Sequence, residues 1–123
     1  MPVNTPSLSL YGMGIRRKIM LKLIKINFKN DTKYQHLFGG NSDTVKMKSG
    51  LVILKPGKNV GEHITENKEE AIIVLSGRAE IINNGSTIEA QKNSIVYIPP
   101  ETSHNVKNIG KSLLRYVYVV CSL

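Results

Sequence analysis

The sequence is poor in the features that mark membrane, secreted and disulfide-bonded proteins. It contains a single cysteine, Cys121, which rules out an internal disulfide framework and is typical of a reducing cytoplasm. It has no run of about 18 apolar residues, so no transmembrane helix is expected. Lys22 and Lys25 interrupt the apolar run that a secretory signal would need near the N-terminus. These absences predict a cytoplasmic protein that does not associate with a membrane.

Positive charge is abundant in this chain, but its placement is poor for nucleic-acid recognition. The formal net charge is +8 over 123 residues. Residues 16–58 carry eleven Lys or Arg and two Asp, whereas residues 59–123 carry six Lys or Arg and seven Glu. The sequence also lacks a recognition-helix pattern and an aromatic-basic stacking motif. We therefore predict that the protein does not bind nucleic acid.

Short runs of strand-like composition make up most of the chain after Met20, and no helical stripe exceeds about three turns. Turn signals rich in Gly, Pro and Asn separate these runs. The candidate strands are 21–28, 44–54, 60–64, 70–76, 78–83, 86–90, 94–98, 103–108 and 112–121. Closely spaced strands joined by regular turns indicate an all-β antiparallel sandwich or barrel.

The length predicts one domain with one hydrophobic core, over residues 20–123. Residues 1–19 have a loop-like composition and are predicted to form an N-terminal extension or arm. The sequence leaves open whether this segment is a flexible arm, a strand lent to a partner subunit, or an extension upstream of an alternative start at Met20.

Alternation of charged and apolar residues assigns faces to several candidate strands. In the segments 44–54 and 86–90 it predicts that Val45, Met47, Ile88 and Ala90 point inward. The segments 70–76 and 112–121 are apolar on both faces, which predicts a covering layer on each side. A second subunit is one source of that layer, so a homodimer is expected.

One of the three histidines falls where the alternation points it inward. Lys107 should face solvent, which places His104, Val106 and Asn108 on the inward side. The third histidine, His36, is predicted to lie in a loop.

Two histidines and one glutamate are the candidate metal ligands. His63 and Thr65 are two residues apart and face the same way, and Glu70 opens the next strand. If the strands close around a core, His63, Glu70 and His104 converge. Two imidazoles and a carboxylate resemble a two-His-one-carboxylate site, which leaves metal positions open for water or substrate. Each residue alone is more often structural, but the combination favours a metal site. Glu69, the alternative carboxylate, is expected in solvent.

The spacing of these residues resembles the two motifs of the cupin superfamily. Residues 57–77 match the first motif, Gly-x5-His-x-His-x(3,4)-Glu-x6-Gly, with Thr65 in place of the second histidine. Residues 93–108 match the second motif, Gly-x5-Pro-x-Gly-x2-His-x3-Asn, with Asn93 and Glu101 in place of the glycines. The resemblance implies a small single-domain cupin with a jelly-roll β-barrel, and it covers residues 20–123.

The resemblance also implies a divalent transition metal and a small polar ligand or substrate in the barrel mouth. Fe, Mn, Ni, Zn and Cu all accept nitrogen and carboxylate ligands. Thr65 removes one ligand from the family pattern, since a neutral hydroxyl replaces an imidazole. Tyr97, Tyr116 and Tyr118 are candidates for the pocket lining, with core packing as the alternative.

The reaction stays open, because the family includes dioxygenases, isomerases, lyases, sugar-binding domains and storage proteins. The alternatives to an enzyme are a non-catalytic ligand-binding module and a metal-free structural cupin. The loss of glycine at 93 and 101 is expected to change only turn geometry, since Asn tolerates left-handed backbone angles.

Overall fold

A computed structural model describes residues 21–123, and these residues form nine β-strands and no helix. No helix able to cross a membrane occurs among them. The strands are β1 (Tyr34–Phe38), β2 (Met47–Leu54), β3 (His63–Ile64), β4 (Lys68–Ser76), β5 (Arg78–Asn83), β6 (Ser86–Gln91), β7 (Ser94–Ile98), β8 (Ser103–Asn108) and β9 (Leu114–Ser122). The predicted arm, residues 1–19, lies outside the described residues.

The strands form two sheets, and every strand pair is antiparallel. The five-stranded sheet has the order β1-β2-β9-β4-β7, and the four-stranded sheet has the order β3-β8-β5-β6. Apolar side chains of both sheets meet in one core. Its buried members are Val52, Ile72, Val74, Ala79, Ile81, Ala90, Ile98, Val106, Leu114 and Tyr116. The predicted all-β antiparallel class is therefore confirmed.

The face assignment for β8 is confirmed by burial. In β8 every second residue is buried, namely His104, Val106 and Asn108. In β4 the buried residues are Glu70, Ile72 and Val74, so the carboxylate shares the inward face with the core. Strict alternation therefore carries one histidine and one glutamate into the space between the two sheets.

The face assignments in the segments 44–54 and 86–90 are wrong in part. Val45 and Met47 are 77% and 50% exposed, because β2 begins only at Met47 and that end lies beyond the core. Ile88 lies opposite the buried Ile81, so it shares the inward face, but it is 57% exposed. The reason is that β6 is an edge strand with no further neighbour to cover it.

Two assignments of secondary structure are also corrected. Residues 21–28 form no strand, although their composition is strand-like, and His36 lies in β1 rather than in a loop. Part of the 21–28 segment covers the outer face of the five-stranded sheet. Ile26 packs there against a second apolar cluster, and Gln35 Nε2 donates a hydrogen bond to the carbonyl of Asn27. The chain thus supplies part of the covering layer that the doubly apolar strands require.

Asn93 and Glu101 keep the backbone conformation that glycine would adopt. Their φ angles are 72° and 52°, both in the left-handed region. Each backbone N–H is bound, Asn93 to the carbonyl of Val74 and Glu101 to the carbonyl of Glu66. The turns that the motif requires are therefore retained, at a cost of about 1–2 kcal/mol for a residue such as Glu.

Asn108 joins the end of β2 to the turn that follows β8 from a fully buried position. Its Nδ2 donates hydrogen bonds of 2.9 Å to the carbonyls of Leu54 and Ser112, and its Oδ1 accepts one of 2.8 Å from the N–H of Gly110. The amide uses both donors and its acceptor, so no solvent is needed to satisfy it.

The substitution Asn108→Asp is expected to lower the free energy of unfolding by about 3–5 kcal/mol. A carboxylate of the same shape has no donors, so it leaves two buried carbonyls facing a buried charge. Urea unfolding followed by fluorescence or circular dichroism measures the change. Asn84→Asp, the same change in a surface turn, serves as the control. An unchanged urea midpoint for Asn108→Asp would contradict this role.

Candidate metal centre

His63 and His104 form a direct cross-strand pair between β3 and β8. Directly opposed residues of an antiparallel pair project from the same face of the sheet, about 5 Å apart at Cβ. The two imidazole rings accordingly lie with their centroids 4.2 Å apart, inclined by 59°. The pairing of β3 with β8 therefore brings together two histidines that are 41 positions apart in the sequence.

Glu70 reaches the histidine pair from the opposite sheet. Its Oε1 lies 3.2 Å from Nε2 of His104, and both side chains are buried. One donor atom from each of His63, Glu70 and His104 lies within 4.8 Å of the others. The three predicted ligands therefore converge, with His104 and Glu70 enclosed and His63 at the exposed edge.

Backbone carbonyls set the tautomer of both rings. Nδ1 of His63 lies 3.0 Å from the carbonyl of Gly61, and Nδ1 of His104 lies 3.1 Å from the carbonyl of Thr102. A carbonyl oxygen only accepts, so each Nδ1 carries the proton that it donates. In the neutral ring Nε2 then carries the lone pair. This arrangement, with the outer nitrogen held by a backbone oxygen, is how metal-binding histidines are oriented.

The buried contact between His104 and Glu70 calls for a cation. Nε2 of the neutral ring and the carboxylate oxygen are both acceptors, and Nε2 has no hydrogen-bond partner among the described residues. Either a proton on His104 or a metal ion between the two atoms satisfies them. Two ligands bound at about 2.1 Å and a right angle to one metal lie about 3 Å apart, close to the observed 3.2 Å. The donor set and the spacing of this pair therefore fit a transition metal.

The environment of His104 favours the protonated ring. Burial acts to lower the pKa of His104, but the Glu70 carboxylate and the Thr102 carbonyl together outweigh it. The pKa of His104 is consequently raised above its ordinary value of 6.5. A metal that binds Nε2 must displace this proton.

Thr65 does not act as a ligand, because its hydroxyl is engaged elsewhere. Its Oγ1 donates a hydrogen bond of 2.8 Å to the carbonyl of Pro99 and accepts one of 2.9 Å from the N–H of Thr102. The side chain is 5% exposed and borders the cavity. Thr65 thus ties the segment after β3 to the turn before β8, which holds the backbone around His104 in place.

A cavity of about 510 Å³ opens beside the three converging side chains. Two of the three predicted tyrosines, Tyr116 and Tyr118, line it. Tyr97 does not: it is 61% exposed on the outer face of β7, where its hydroxyl donates to Glu69. The same hydrogen bond holds Glu69 on the outer face, so Glu69 faces away from the site as expected. The remaining lining is mostly aliphatic: Val52, Val60, Ile64, Val106 and Val120.

Three further lining residues were missed by sequence reasoning: Lys33, Tyr34 and Lys68. Lys68 lies two residues before Glu70, so alternation could have identified it. Tyr34 belongs to β1, which the sequence patterns did not predict as a strand. Its position depends on the pairing of β1 with β2, a long-range contact with no local signal.

Comparison with known proteins supports the fold. The sequence model of a family described as "Cupin domain" matches residues 50–120. The polyketide synthase CurC of Streptomyces cyaneus is 32% identical over 69 residues, which are 56% of this chain and 45% of that protein. The oxalate-binding protein of Thermotoga maritima is 27% identical over 70 residues, which are 57% of this chain and 58% of that protein.

A solved structure has a similar fold. The cupin domain of Cnp3 from Schizosaccharomyces pombe superimposes with a TM-score of 0.68 at 21% identity, covering 80% of this chain and 69% of that one. The sequence matches span about half the length of these two curated relatives, whose names describe different activities. The relatives therefore support the architecture and do not identify a ligand for this chain.

Proposed function

This chain belongs to the cupin family, and on that premise we propose that it binds one divalent transition metal through His63, Glu70 and His104. The metal would keep positions open toward the cavity, where a small polar molecule binds. Fe, Mn, Ni, Zn and Cu all suit nitrogen and carboxylate donors. A bound metal of this kind supplies Lewis-acid or redox chemistry.

One observation supports this proposal above the others. Nε2 of the buried His104 lies 3.2 Å from a carboxylate oxygen of Glu70, and in the neutral ring it has no hydrogen-bond partner among the described residues, so a proton or a metal ion is required there. A buried acceptor that faces another acceptor is costly unless a cation lies between them. Two backbone carbonyls orient the imidazole rings of His63 and His104. The core beneath Glu70 holds its carboxylate in place.

Elemental analysis of protein prepared without a histidine tag tests the proposal. About one equivalent of transition metal per chain is expected after equilibration with a metal buffer and removal of excess ion. Glu70→Gln keeps the shape of the side chain but removes its charge, so it is expected to retain far less metal. Glu69→Gln, the same change on the outer face, is the matched control. Full metal retention by Glu70→Gln would contradict the proposed ligand set.

Metal binding should depend on pH through His104. Its pKa is raised, so the metal competes with a proton, and affinity should rise about tenfold per pH unit below that pKa and level off above it. In the metal-free protein the sign is opposite. Protonated His104 stabilises the folded state below pH 6.5, and this stability is lost as the pH rises through the raised pKa. Metal titrations and thermal melts across this range measure both trends.

A metal-free structural cupin is the second candidate, and Thr65 is the observation that favours it. The family position for a further imidazole is occupied by a hydroxyl that is bound to backbone atoms. A protein of this kind would retain no stoichiometric metal, and changes at His63 and His104 would alter only its stability. A non-catalytic ligand-binding module would instead bind metal and ligand without turnover. Product analysis with candidate ligands separates that module from an enzyme.

We further propose that residues 20–123 form one domain whose two sheets close as a jelly-roll barrel. The cytoplasmic location, the absence of nucleic-acid binding and the homodimer also stay predictions. Ile95 and Tyr97 on β7 leave an apolar patch on the outer face, at 69% and 61% exposure, which supports a dimer. Light scattering of the purified protein measures its oligomeric state.

A further inference from the structure

Two tyrosines share one wall of the cavity and are held together over a glycine. The hydroxyls of Tyr34 and Tyr118 lie 2.7 Å apart, and their rings stack with centroids 6.4 Å apart. A Cβ on Gly50, in the strand between them, would lie 2.6 Å from the Tyr34 hydroxyl and 2.7 Å from the Tyr118 ring. Glycine weakens a strand interior, so its presence here fits the close approach of the two rings.

One of the two hydroxyl protons in this pair remains available to bind a ligand. Each phenol carries one proton, and the contact between the two hydroxyls uses only one of them. Neither hydroxyl bonds any other described residue, and the same is true of the hydroxyl of Tyr116, which lines the cavity too. Burial raises the pKa of both Tyr116 and Tyr118, so these phenols stay protonated.

This donor wall adjoins the metal centre through the register of β4 and β9. Tyr118 pairs with Ile72, and Glu70 is the next residue along β4 on the same face. Diagonal neighbours on one face are within reach of long side chains. A small molecule in the cavity can therefore contact the metal site and the phenol hydroxyls at once.

The charge of the cavity lining favours an anion. Lys33 and Lys68 line the cavity, and neither forms an ion pair with a described acid. Glu70 is the one acidic residue among the described lining residues, and it belongs to the metal site. A carboxylate offers an opposite charge to the two lysines and acceptor oxygens to the hydroxyl donors, whereas a neutral sugar or alcohol offers no opposite charge.

We infer that the cavity binds a short aliphatic dicarboxylate, with one carboxylate at the metal and the other held by Tyr34, Tyr118 and the two lysines. This assignment rests on the proposed metal site for the first carboxylate only. The aliphatic walls suit the short carbon chain between the two groups. Malonate is a suitable probe, and malonamide is its neutral counterpart of the same size.

Calorimetric titration of malonate into zinc-loaded protein tests the assignment. Malonate should bind at least about tenfold more tightly than malonamide, and Tyr118→Phe should weaken malonate binding at least about tenfold, because a hydrogen bond to a charged group is lost. Zinc content should be unchanged by that substitution. Tyr97→Phe, which removes a phenol outside the cavity, should bind malonate as the wild type does.

The same titration on metal-free protein separates this inference from the metal proposal. Binding that is weaker but still reduced by Tyr118→Phe would support the anion site even if the chain retained no zinc. Equal affinity for malonate and malonamide, tighter binding of inorganic phosphate than of malonate, or unchanged binding by Tyr118→Phe would each overturn the assignment.

Discussion

Replacing His104 with glutamine is expected to weaken zinc affinity by at least about 100-fold, more than the loss typical of a changed outer-shell partner. Glutamine fills most of the buried space but presents an amide in place of the Nε2 lone pair. Its amide group can also bond Glu70 directly, which removes the unpartnered contact that a cation would otherwise satisfy. Competition titration against a chromogenic chelator measures the change.

The third histidine provides the control for that experiment. His36 lies on the exposed part of β1 and is not one of the converging ligands, so His36→Gln should bind zinc as the wild type does. A thermal melt of metal-free His104→Gln checks that the variant is folded. If His104→Gln and His36→Gln bind zinc equally well, His104 is not a ligand.

Replacing Thr65 with histidine is expected to have two opposite effects. An imidazole at 65 borders the same cavity as His63, so it adds a donor and should tighten zinc binding at least about tenfold. The same change removes the hydroxyl that bonds Pro99 and Thr102, which should lower the stability of the metal-free protein by about 1–3 kcal/mol. Zinc titration and urea unfolding measure the two effects separately.

Thr65→Val is the matched variant, because it has nearly the same shape and lacks both the hydroxyl and the imidazole. It should lose similar stability without any gain in zinc affinity. A Thr65→His protein that binds zinc no better than Thr65→Val would show that position 65 does not reach the metal site.

Local sequence patterns predict which residues of several strands point into the core. Alternation is strict where one face is buried, so the charge of Lys107 alone predicted that His104 and Asn108 point inward. Both faces of β4 are apolar, so the sequence did not show which of them carries Glu70 into the core. The same rule failed at Val45, because alternation identifies a face but not the point where the sheet's cover ends.

The long-range part could not be obtained from local patterns. The direct pairing of His63 with His104 depends on strand register, which is set by the assembled sheet. The tyrosine pair depends on a glycine in one strand and phenols in two others, and β1 has no clear strand signal of its own. The role of Thr65 likewise becomes visible only when its hydroxyl is seen to bond backbone atoms of a distant turn.

Anomalous diffraction at the zinc absorption edge, from crystals of zinc-loaded protein, is the most direct measurement of the metal centre. The predicted result is one strong peak per chain, within bonding distance of Nε2 of His63, Nε2 of His104 and a carboxylate oxygen of Glu70. A peak bound elsewhere, or the absence of any peak among these three side chains at full zinc loading, would contradict the account.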